Sequence, residues 1–400
     1  MKILQLTKKV PYPLKDGESI AIHYLSKGLV AVGAQVDLLA INTKKHFVQL
    51  KGVPHELEHY NLVNTVYLDN TINFKDAFLN LVSNKSYNIE RFISQDFCKV
   101  LEQELKSNSY DVVQLETLYM APYIDLIKKY SNALISMRSH NLEHEIWTNL
   151  SRSSVHLAKS YYYSICSKRL KAYESEVLKD YDILLPISRL DLDKYNDLDF
   201  DGNAFVTPVG LELKEYFKES KPLSSPIKLG YIGSLDWKPN VEGIDWFLAN
   251  CWETIKKRFP QMEFHLAGRN MPDKYKRLKM DGLVLKGEVE DARLFMHNLD
   301  ILVVPLFSGS GIRVKILEAM AMGKAVLSTA KGFEGIPVED GKEALFFSDL
   351  DSLLNRLDQL LSDEGLVKSI QIKGQELVTS AFGHKSIAKN VMEFYRKLLT

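Results

Sequence analysis

A Gly/Ser-rich turn followed by cationic residues is the stretch of this chain best suited to chemistry. The turn, Gly309-Ser310-Gly311, follows an apolar run of strand length, Asp300–Pro305, and precedes a segment of helical spacing at 312–322. A helix that begins there leaves its first backbone N–H groups free, and glycine lets a ligand approach them closely. Arg313 and Lys315 add positive charge. Together these features predict a site for a phosphate or a diphosphate.

Glu318 lies further along the same predicted helix. A carboxylate there can accept hydrogen bonds from two vicinal hydroxyls of a ribose, so with the diphosphate turn it predicts a nucleotide-sugar site. A surface pair of Lys315 and Glu318 at i,i+3 spacing, worth only a few tenths of a kcal/mol, is the alternative for the lysine. For Lys315 the residues alone leave both interpretations open. For Glu318, which lies between Leu317 and Ala319, we expect a functional role.

The segment 309–323, followed by Ser328-Thr329 and by Gly332–Ile336, closely resembles the donor-site signature of family 4 glycosyltransferases. The resemblance implies an α/β protein of the GT-B fold, with two Rossmann-like α/β/α domains facing each other across a cleft. It also implies a retaining reaction and a donor ribose held by Glu318.

The same resemblance assigns the loop 308–312 to the sugar and the diphosphate. The donor-binding residues that it supplies from this loop are Ser310, Gly311 and Ile312, beside Arg313 and Lys315. Many family members carry Glu at the position of Ser310. The sugar-selecting carboxylate is therefore absent at this position, and the sequence does not identify the sugar.

A second strand–glycine–helix unit begins the back half of the chain. Ile227–Ile232 predicts a strand, Gly233-Ser234 follows it, and a helix is predicted from about 241 to 257. The resemblance implies that Gly233 and Lys238 contact the diphosphate. The family often carries Arg at the position of Ser234, so Arg313 is expected to supply that charge. An exposed turn lysine is the alternative for Lys238.

We expect the leaving diphosphate to be stabilised by fixed donors, namely the two helix N-termini, Lys238, Arg313 and Lys315. The resemblance also places the nucleotide base against the backbone at 286–289, ending at Val289. No carboxylate pair has an obvious metal spacing. The sequence therefore predicts a reaction without a metal or another cofactor.

The front half begins with a strand at Lys2–Leu6, a helix from about 19 to 32 and a strand at Val36–Ile41, which is a Rossmann-like β–α–β unit. No Gly-x-Gly-x-x-Gly follows the first strand, which argues against a dinucleotide dehydrogenase. In the resembling family the first loop reaches into the cleft, and Gly17 matches its glycine. An ordinary turn glycine is the alternative.

The strand predicted at Ala133–Met137 ends in a polar cluster, Arg138-Ser-His140-Asn141-Leu-Glu143. Ligands of open α/β sheets bind beyond the carboxyl ends of strands. The cluster resembles the family's His-Asn-x-Glu segment, which implies that His140 faces the donor sugar or the acceptor hydroxyl, with Arg138, Asn141 and Glu143 around it. We expect His140 to position a substrate and handle a proton near neutral pH. A structural histidine is the alternative.

The length of 400 residues predicts at least two domains. We expect an acceptor-side domain at 1–217, a Pro/Ser-rich linker at 218–226, a donor-binding domain at 227–380 and a C-terminal helix at 381–400 that packs back on the first domain. Acidic and basic residues balance at 51 each, so nucleic acid is not an expected partner. Three scattered cysteines and no apolar run of membrane-spanning length favour a cytoplasmic protein.

The sequence thus predicts a retaining glycosyltransferase that moves a sugar from a nucleoside-diphosphate sugar to a saccharide or lipid-linked acceptor hydroxyl. A pathway for cell-surface polysaccharide or glycolipid is expected, without an obligate protein partner. A basic, aromatic helix at 150–180 is consistent with peripheral membrane contact, although a solvated helix face explains it as well. Two alternatives remain open, a nucleotide-sugar 2-epimerase of the same fold and a non-catalytic sugar-nucleotide-binding protein.

Overall fold

The structure is a computed structural model that describes residues 1–50, 52–71, 85–152, 154, 156–216, 222–309 and 311–400. The chain forms two compact units. Unit 1 comprises Met1–Gly210 and His384–Thr400, and unit 2 comprises Leu211–Gly383. The sequence also predicts a helix at 74–81, and this segment and the donor residue Ser310 lie outside the described residues.

Unit 1 is built on a parallel sheet that has seven strands within the described part of the chain. The strands are β1 (Lys2–Thr7), β2 (Gln35–Thr43), β3 (Leu62–Leu68), β4 (Val112–Glu116), β5 (Leu134–Ser139), β6 (Ile183–Pro186) and β7 (Asn203–Ala204). Their order is β3-β2-β1-β4-β5-β6-β7, so the direction of strand addition reverses between β1 and β4. The central strands are mostly apolar and buried on both faces, as parallel sheets covered by helices require, and they carry a few buried polar side chains such as Gln5 and Gln114.

Helices surround this sheet. They are α1 (Gly17–Ala31), α2 (Tyr87–Glu90), α3 (Gln95–Ser107), α4 (Ile124–Tyr130), α5 (Glu143–Arg152), α6 (Leu157–Val177), α7 (Arg189–Asn196) and a C-terminal helix (His384–Leu399). The single helix predicted at 150–180 is wrong at its start. His156 has an extended backbone and caps α6, so α5 and α6 are separate helices.

The C-terminal helix packs directly on α1. A Cβ at Gly28 would lie 2.6 Å from the carbonyl oxygen of His384, a distance that only glycine avoids. Further along the helix, Val391 and Tyr395 are fully buried in the unit 1 core. Burying such side chains contributes about 1.5–3 kcal/mol each, which fixes the helix against the sheet.

Unit 2 contains a second parallel sheet. Among the described residues its strands are β8 (Ile227–Ile232), β9 (Met262–Ala267), β10 (Leu283–Gly287), β11 (Ile301–Val304), β12 (Ala325–Ser328) and β13 (Leu345–Phe346). They lie in the order β10-β9-β8-β11-β12-β13. The order reverses between β8 and β11, and the crevice at such a reversal is where open α/β sheets bind ligands.

The helices of unit 2 are α8 (Leu213–Tyr216), α9 (Lys238–Asn250), α10 (Trp252–Arg258), α11 (Asp273–Lys276), α12 (Ala292–His297), α13 (Val314–Ala321), α14 (Leu350–Ser362) and α15 (Glu364–Ala381). The helix predicted at 241–257 begins earlier, at Lys238, and is interrupted at Cys251. Pro239 is compatible with this early start because the first helical turn needs no N–H from it. No helix of the described residues is both long and apolar enough to cross a membrane.

The division between the units falls at Gly210 and Leu211, before the segment 218–226 that was predicted as the linker. Leu211, the first residue of unit 2, donates its N–H to the carbonyl of Phe382 in the same unit at 2.8 Å. Ser224, within the predicted linker, is tied to Asp300 by two hydrogen bonds of 3.0 and 2.6 Å. Residues 222–226 therefore lead into β8 within unit 2.

Candidate functional site: two converging glycine turns

The two turns that the sequence singles out lie at the same edge of the unit 2 sheet. The Gly233 turn follows β8 and leads into α9, and the 309–311 turn follows β11 and leads into α13. Strands β8 and β11 are adjacent and parallel. Because the carboxyl ends of parallel strands meet at one edge, both helix N-termini are directed to the crevice where the strand order reverses.

Lys315 links the two turns. Its Nζ donates to the Tyr231 hydroxyl at 2.9 Å and lies 4.1 Å from the centroid of that ring. A Cβ at Gly233 would lie 2.6 Å from the same Nζ. The amine of α13 therefore occupies the space beside the β8 turn that glycine leaves open. Lys315 is not engaged in the surface pair with Glu318 that was the alternative interpretation.

The loop after β11 packs against the start of α9. A Cβ at Gly309 would lie 3.2 Å from both Arg313 Nη2 and Pro239 Cγ. The Ser308 hydroxyl donates to Glu242 on α9 at 2.5 Å. Gly309 has a φ of 94°, a left-handed conformation in which L side chains are strained. Glycine is thus needed here both for its conformation and for the close approach of the two loops.

The electrostatics of the crevice favour an anion. Burial, together with the nearby charge of Arg313, lowers the pKa of Lys315 to about 7. Burial also lowers the pKa of the Arg313 guanidinium, whose Nη1 donates to the carbonyl of Gly311. Two cations held close together in a partly desolvated position destabilise each other, and a bound anion would relieve that cost. Perturbed groups of this kind are typical of functional sites.

Glu318 is held by a tyrosine that the sequence analysis did not name. The Tyr216 hydroxyl donates to Glu318 Oε1 at 3.0 Å, and burial raises the pKa of this carboxyl to about 7. Tyr216 lies on α8, where Arg293 pairs with the adjacent Glu215 at 2.6 Å. Within the described residues no hydrogen-bond donor contacts Oε2, so this oxygen is available to a ligand.

The remaining predicted donor residues lie at the same edge of the sheet, but they do not all lie beside the two glycine turns. Ser234 donates to Asp236 at 2.7 Å and accepts from the Asn240 side chain at 2.8 Å, so it shapes the turn. Lys238 is exposed and is the first residue of α9. Ile312 is half-buried next to Arg313. Val289 lies just past the end of β10, which β9 separates from β8.

The Ser328-Thr329 part of the signature is structural. The Ser328 hydroxyl donates to the carbonyl of Val304 at 2.7 Å, and Thr329 donates to the carbonyl of Leu306. A Cβ at Gly332 would lie 1.9 Å from Ser328 Oγ. These contacts fasten the end of β12 to the exit of β11. They therefore hold the loop that leads to the 309–311 turn.

In unit 1, His140 lies at the carboxyl edge of the sheet just after β5. It is buried, and its Nε2 is 2.7 Å from Oε2 of Glu116, the last residue of β4. Strands β4 and β5 are parallel neighbours, which is why their ends place these side chains together. The sequence also predicts a strand at 110–116, which ends in Glu116. That this carboxylate lies next to His140 follows only from the order of the strands in the sheet.

Arg138 was expected beside His140 at the cleft. Its side chain is completely buried and donates to the carbonyl of Ala21 at 2.8 Å. Its Nη1 also lies 3.8 Å from Oε2 of Glu116, the carboxylate that contacts His140. Glu143 is also buried, where burial raises the pKa of its carboxyl and Tyr119 donates to Oε2 at 2.9 Å.

The other two predicted cleft residues are more accessible. Gly17 is exposed and begins α1, which Asp16 caps by accepting from the backbone N–H of Ser19 at 2.9 Å. Asn141 is half-buried, and its carbonyl accepts from the Ser139 hydroxyl at 3.0 Å. Across the residues that the structure describes, no three His, Cys, Asp or Glu side chains are grouped to hold a metal ion.

Comparison with known proteins relates part of the chain to a described protein family. Residues 226–363 match the family model described as "Glycosyl transferases group 1". The chain carries a glycosyl transferases group 1 domain. This domain contains both glycine turns, Lys315 and Glu318, and the predicted relationship to this class of glycosyltransferase is confirmed.

The group 1 domain belongs to a chain whose fold is GT-B, as predicted. Sucrose-phosphate synthase from Thermosynechococcus elongatus is similar over 100% of this chain and 99% of its own, with a TM-score of 0.72 and 16% identity. Anabaena Alr3699/HepE in complex with UDP-glucose has a TM-score of 0.67 at 16% identity, over 99% of this chain and 100% of its own. An uncharacterized 44.6 kDa protein in the cps region of Klebsiella pneumoniae is 23% identical over 87% of this chain and 88% of its own.

Proposed function

We propose that this group 1 glycosyltransferase is a retaining, metal-independent enzyme of family 4 that transfers a sugar from a nucleoside-diphosphate sugar to an acceptor hydroxyl. The observation that carries the proposal is the position of the Lys315 amine beside Gly233, which joins two helix N-termini at one crevice. A diphosphate bound there would meet the amine and backbone N–H groups from both loops.

Catalysis would come from stabilising the departing nucleoside diphosphate. Negative charge develops on the diphosphate as the bond to the sugar breaks. Fixed cations lower the barrier only if they bind the transition state, with its extra charge, more tightly than they bind the intact donor. Lys315 and Arg313 are already held in place by Tyr231 and Gly311, so little reorganisation is needed. Lys238, exposed at the start of α9, would add a third cation.

Glu318 would bind the ribose. One carboxylate oxygen is occupied by the Tyr216 hydroxyl, and the other is left for the sugar diol. The UDP-glucose complex of Anabaena Alr3699/HepE supports a nucleotide sugar as donor. The Klebsiella relative from a cps region supports a saccharide or lipid-linked acceptor in cell-surface polysaccharide biosynthesis.

We place the reaction in the cytoplasm, with peripheral contact at the inner face of the membrane. Leu157 and Tyr161 are 87% and 71% exposed on α6, which also carries the exposed Lys159 and Lys168. Exposed apolar side chains beside lysines favour an anionic lipid surface. Flotation with phosphatidylglycerol vesicles tests this, and equal flotation of wild type and the Leu157→Ser, Tyr161→Ser double variant would contradict it.

A thermal-shift titration with UDP and with GDP tests the donor site. At a hundredfold excess over Kd, the stabilisation of about 2.7 kcal/mol should raise Tm by about 5 °C. Glu318→Ala should weaken the shift, whereas Glu253→Ala, which changes an exposed carboxylate on α10, should not. Absence of a shift with either nucleotide would contradict the proposal.

Turnover then tests the reaction class. UDP-glucose and GDP-mannose are supplied as donors after treatment with EDTA, and proton NMR follows the anomeric signal of the product. Retention means that the product keeps the anomeric configuration of the donor. An inverted product, or activity that returns only with added metal, would contradict the finer assignment while leaving glycosyl transfer intact.

A further inference from the structure

His140, at the carboxyl edge of the unit 1 sheet, is paired with a buried carboxylate, Glu116. Glu116 is completely buried at the end of β4, and its Oε2 lies 2.7 Å from His140 Nε2. A carboxylate with no access to water is costly unless every lone pair is used. The contacts around Glu116 offset this cost, and they also determine which nitrogen of His140 carries a proton.

Glu116 is held as an ion. Its Oε1 accepts from the side-chain amides of Gln5 at 2.6 Å and Gln114 at 2.5 Å. Arg138 Nη1 lies 3.8 Å from Oε2. Burial acts to raise the pKa of the Glu116 carboxyl, but the Arg138 charge and the hydrogen bonds from His140 and Gln114 outweigh it and lower the pKa. An ionised carboxylate can only accept, so the proton in the short contact must belong to His140 Nε2.

The other ring nitrogen is left for a ligand. No hydrogen-bond partner contacts His140 Nδ1 within the described residues, and Nδ1 is not among the buried polar atoms that lack one. In a neutral imidazole one nitrogen carries the proton and the other accepts. With Nε2 protonated, Nδ1 is therefore an acceptor that a solvent molecule or a substrate hydroxyl can reach.

We propose that Glu116 is a positioning residue that fixes His140 as the Nε2–H tautomer and so directs an unprotonated Nδ1 at a substrate hydroxyl. The inference rests on the proposed glycosyl transfer, in which a hydroxyl must be oriented near the donor sugar. A buried carboxylate that holds a histidine in one tautomer and one orientation is an established way to do this.

The surrounding network makes the arrangement rigid. Gln5 Oε1 accepts from the Tyr60 hydroxyl at 2.6 Å, and Gln114 Oε1 accepts from the Tyr395 hydroxyl of the C-terminal helix at 3.0 Å. Both glutamine amides are therefore fixed with their N–H groups toward Glu116. Their hydrogen bonds to Oε1 hold the carboxylate in the orientation that places Oε2 against His140.

The backbone next to Glu116 gives an independent indication. Thr117 has φ 87° and ψ 155°, a region that residues other than glycine rarely occupy, and a β-branched side chain makes it more strained. Its N–H donates to the carbonyl of Arg138 at 3.1 Å, which ties the ends of β4 and β5 together. A strained backbone of this kind persists only where the surrounding structure imposes it, and such residues are found most often at functional sites.

Nitrogen-15 NMR of the ligand-free full chain tests the tautomer directly, with the His140 signal assigned by its loss in His140→Asn. Wild type should show a protonated Nε2 and an unprotonated Nδ1 at pH 8. A protonated Nδ1 would overturn the proposal. This readout needs no substrate, so it decides the pairing even if neither UDP-glucose nor GDP-mannose is turned over, an outcome that would instead count against the proposed function.

Kinetics test the consequence. In Glu116→Gln we expect a loss of the single tautomer and a fall in kcat of at least tenfold, with the donor KM within twofold of wild type, because the donor site lies in the group 1 domain. Ser136→Ala removes a 2.8 Å contact with Tyr395 from the same network, on the neighbouring strand β5. It should keep both the tautomer and kcat. An unchanged kcat in Glu116→Gln, or an equal loss in both variants, would overturn the positioning role.

Discussion

Lys315 provides a prediction whose size follows from the structure. In the ligand-free protein burial and Arg313 lower the pKa of the Lys315 amine from 10.5 to about 7. The ligand-free amine therefore loses its charge as the pH rises through about 7. A bound diphosphate supplies negative charge at the amine and holds it protonated up to its ordinary range. Binding must then take up a proton between pH 7 and 10, and affinity must fall as the pH rises.

The magnitude follows from the two pKa values. If the bound amine titrates near 10.5, affinity falls about fivefold from pH 7 to 8 and about ninefold from pH 8 to 9, or about 1 and 1.3 kcal/mol. Below pH 6 the dependence nearly vanishes because the amine is charged in both states. Inorganic pyrophosphate is the suitable ligand, since it lacks a ribose and so avoids Glu318, whose carboxyl titrates in the same range.

Titration calorimetry from pH 6.5 to 9 measures this, with Lys315→Arg as the matched control. Arginine stays charged throughout, so it should bind with no proton uptake, and the ratio of wild-type to Lys315→Arg affinity cancels the ionisation of pyrophosphate itself. Lys315→Met should lose about 10- to 100-fold at pH 7, as expected for a charged hydrogen bond. An affinity ratio that stays constant from pH 6.5 to 9 would show that Lys315 takes up no proton on binding.

Three further substitutions separate binding from stability in the same crevice. Tyr216→Phe removes the donor to Glu318 Oε1 and should weaken UDP binding about three- to tenfold in calorimetry while leaving pyrophosphate unchanged, so equal losses for both ligands would contradict the ribose assignment. Gly233→Ala places a Cβ 2.6 Å from the mobile end of Lys315, so UDP affinity should fall at least tenfold with little change in Tm, and retained affinity would exclude contact at this turn. Gly243→Ala places a Cβ 1.9 Å from the carbonyl oxygen of Pro305, where backbone must move, so unfolding by urea should show a loss of about 1–3 kcal/mol, and an unchanged midpoint would contradict the packing.

The sequence was sufficient for features that depend on local pattern. Strand β11, the glycines after it and α13 follow from an apolar run, two glycines and a helical stripe, and the structure has them in that order. Gly323 comes directly after the helical stripe, and its φ of 66° is the left-handed conformation that ends many helices. These elements were predictable because each depends on neighbours in the sequence.

Contacts between distant residues could not be obtained in the same way. Tyr231 and Tyr216 lie 84 and 102 residues from the Lys315 and Glu318 side chains that they hold. Neither tyrosine has a local signal, since Tyr231 lies in an apolar strand and Tyr216 in a short charged segment. The pairing of Glu116 with His140 likewise depends on β4 and β5 being neighbours in the sheet.

Arg138 shows what a local pattern leaves open. A charged residue at a strand end can contact a substrate or support neighbouring loops, and the burial of its side chain distinguishes the two. The Arg138 side chain is fully buried and donates to the carbonyls of Ala21 and Pro208. For Lys315, the amine lies beside Gly233 and contacts Tyr231, and it forms no surface pair with Glu318.

The most direct test of the proposed diphosphate site is a crystal structure of the full chain with UDP or GDP bound. The nucleotide to use is the one that gives the larger thermal shift. We expect the diphosphate within hydrogen-bond distance of Lys315 Nζ, between the turns at Gly233 and Gly311, with the ribose on Oε2 of Glu318. A nucleotide bound elsewhere, with Lys315 still on Tyr231 and the two turns empty, would contradict it.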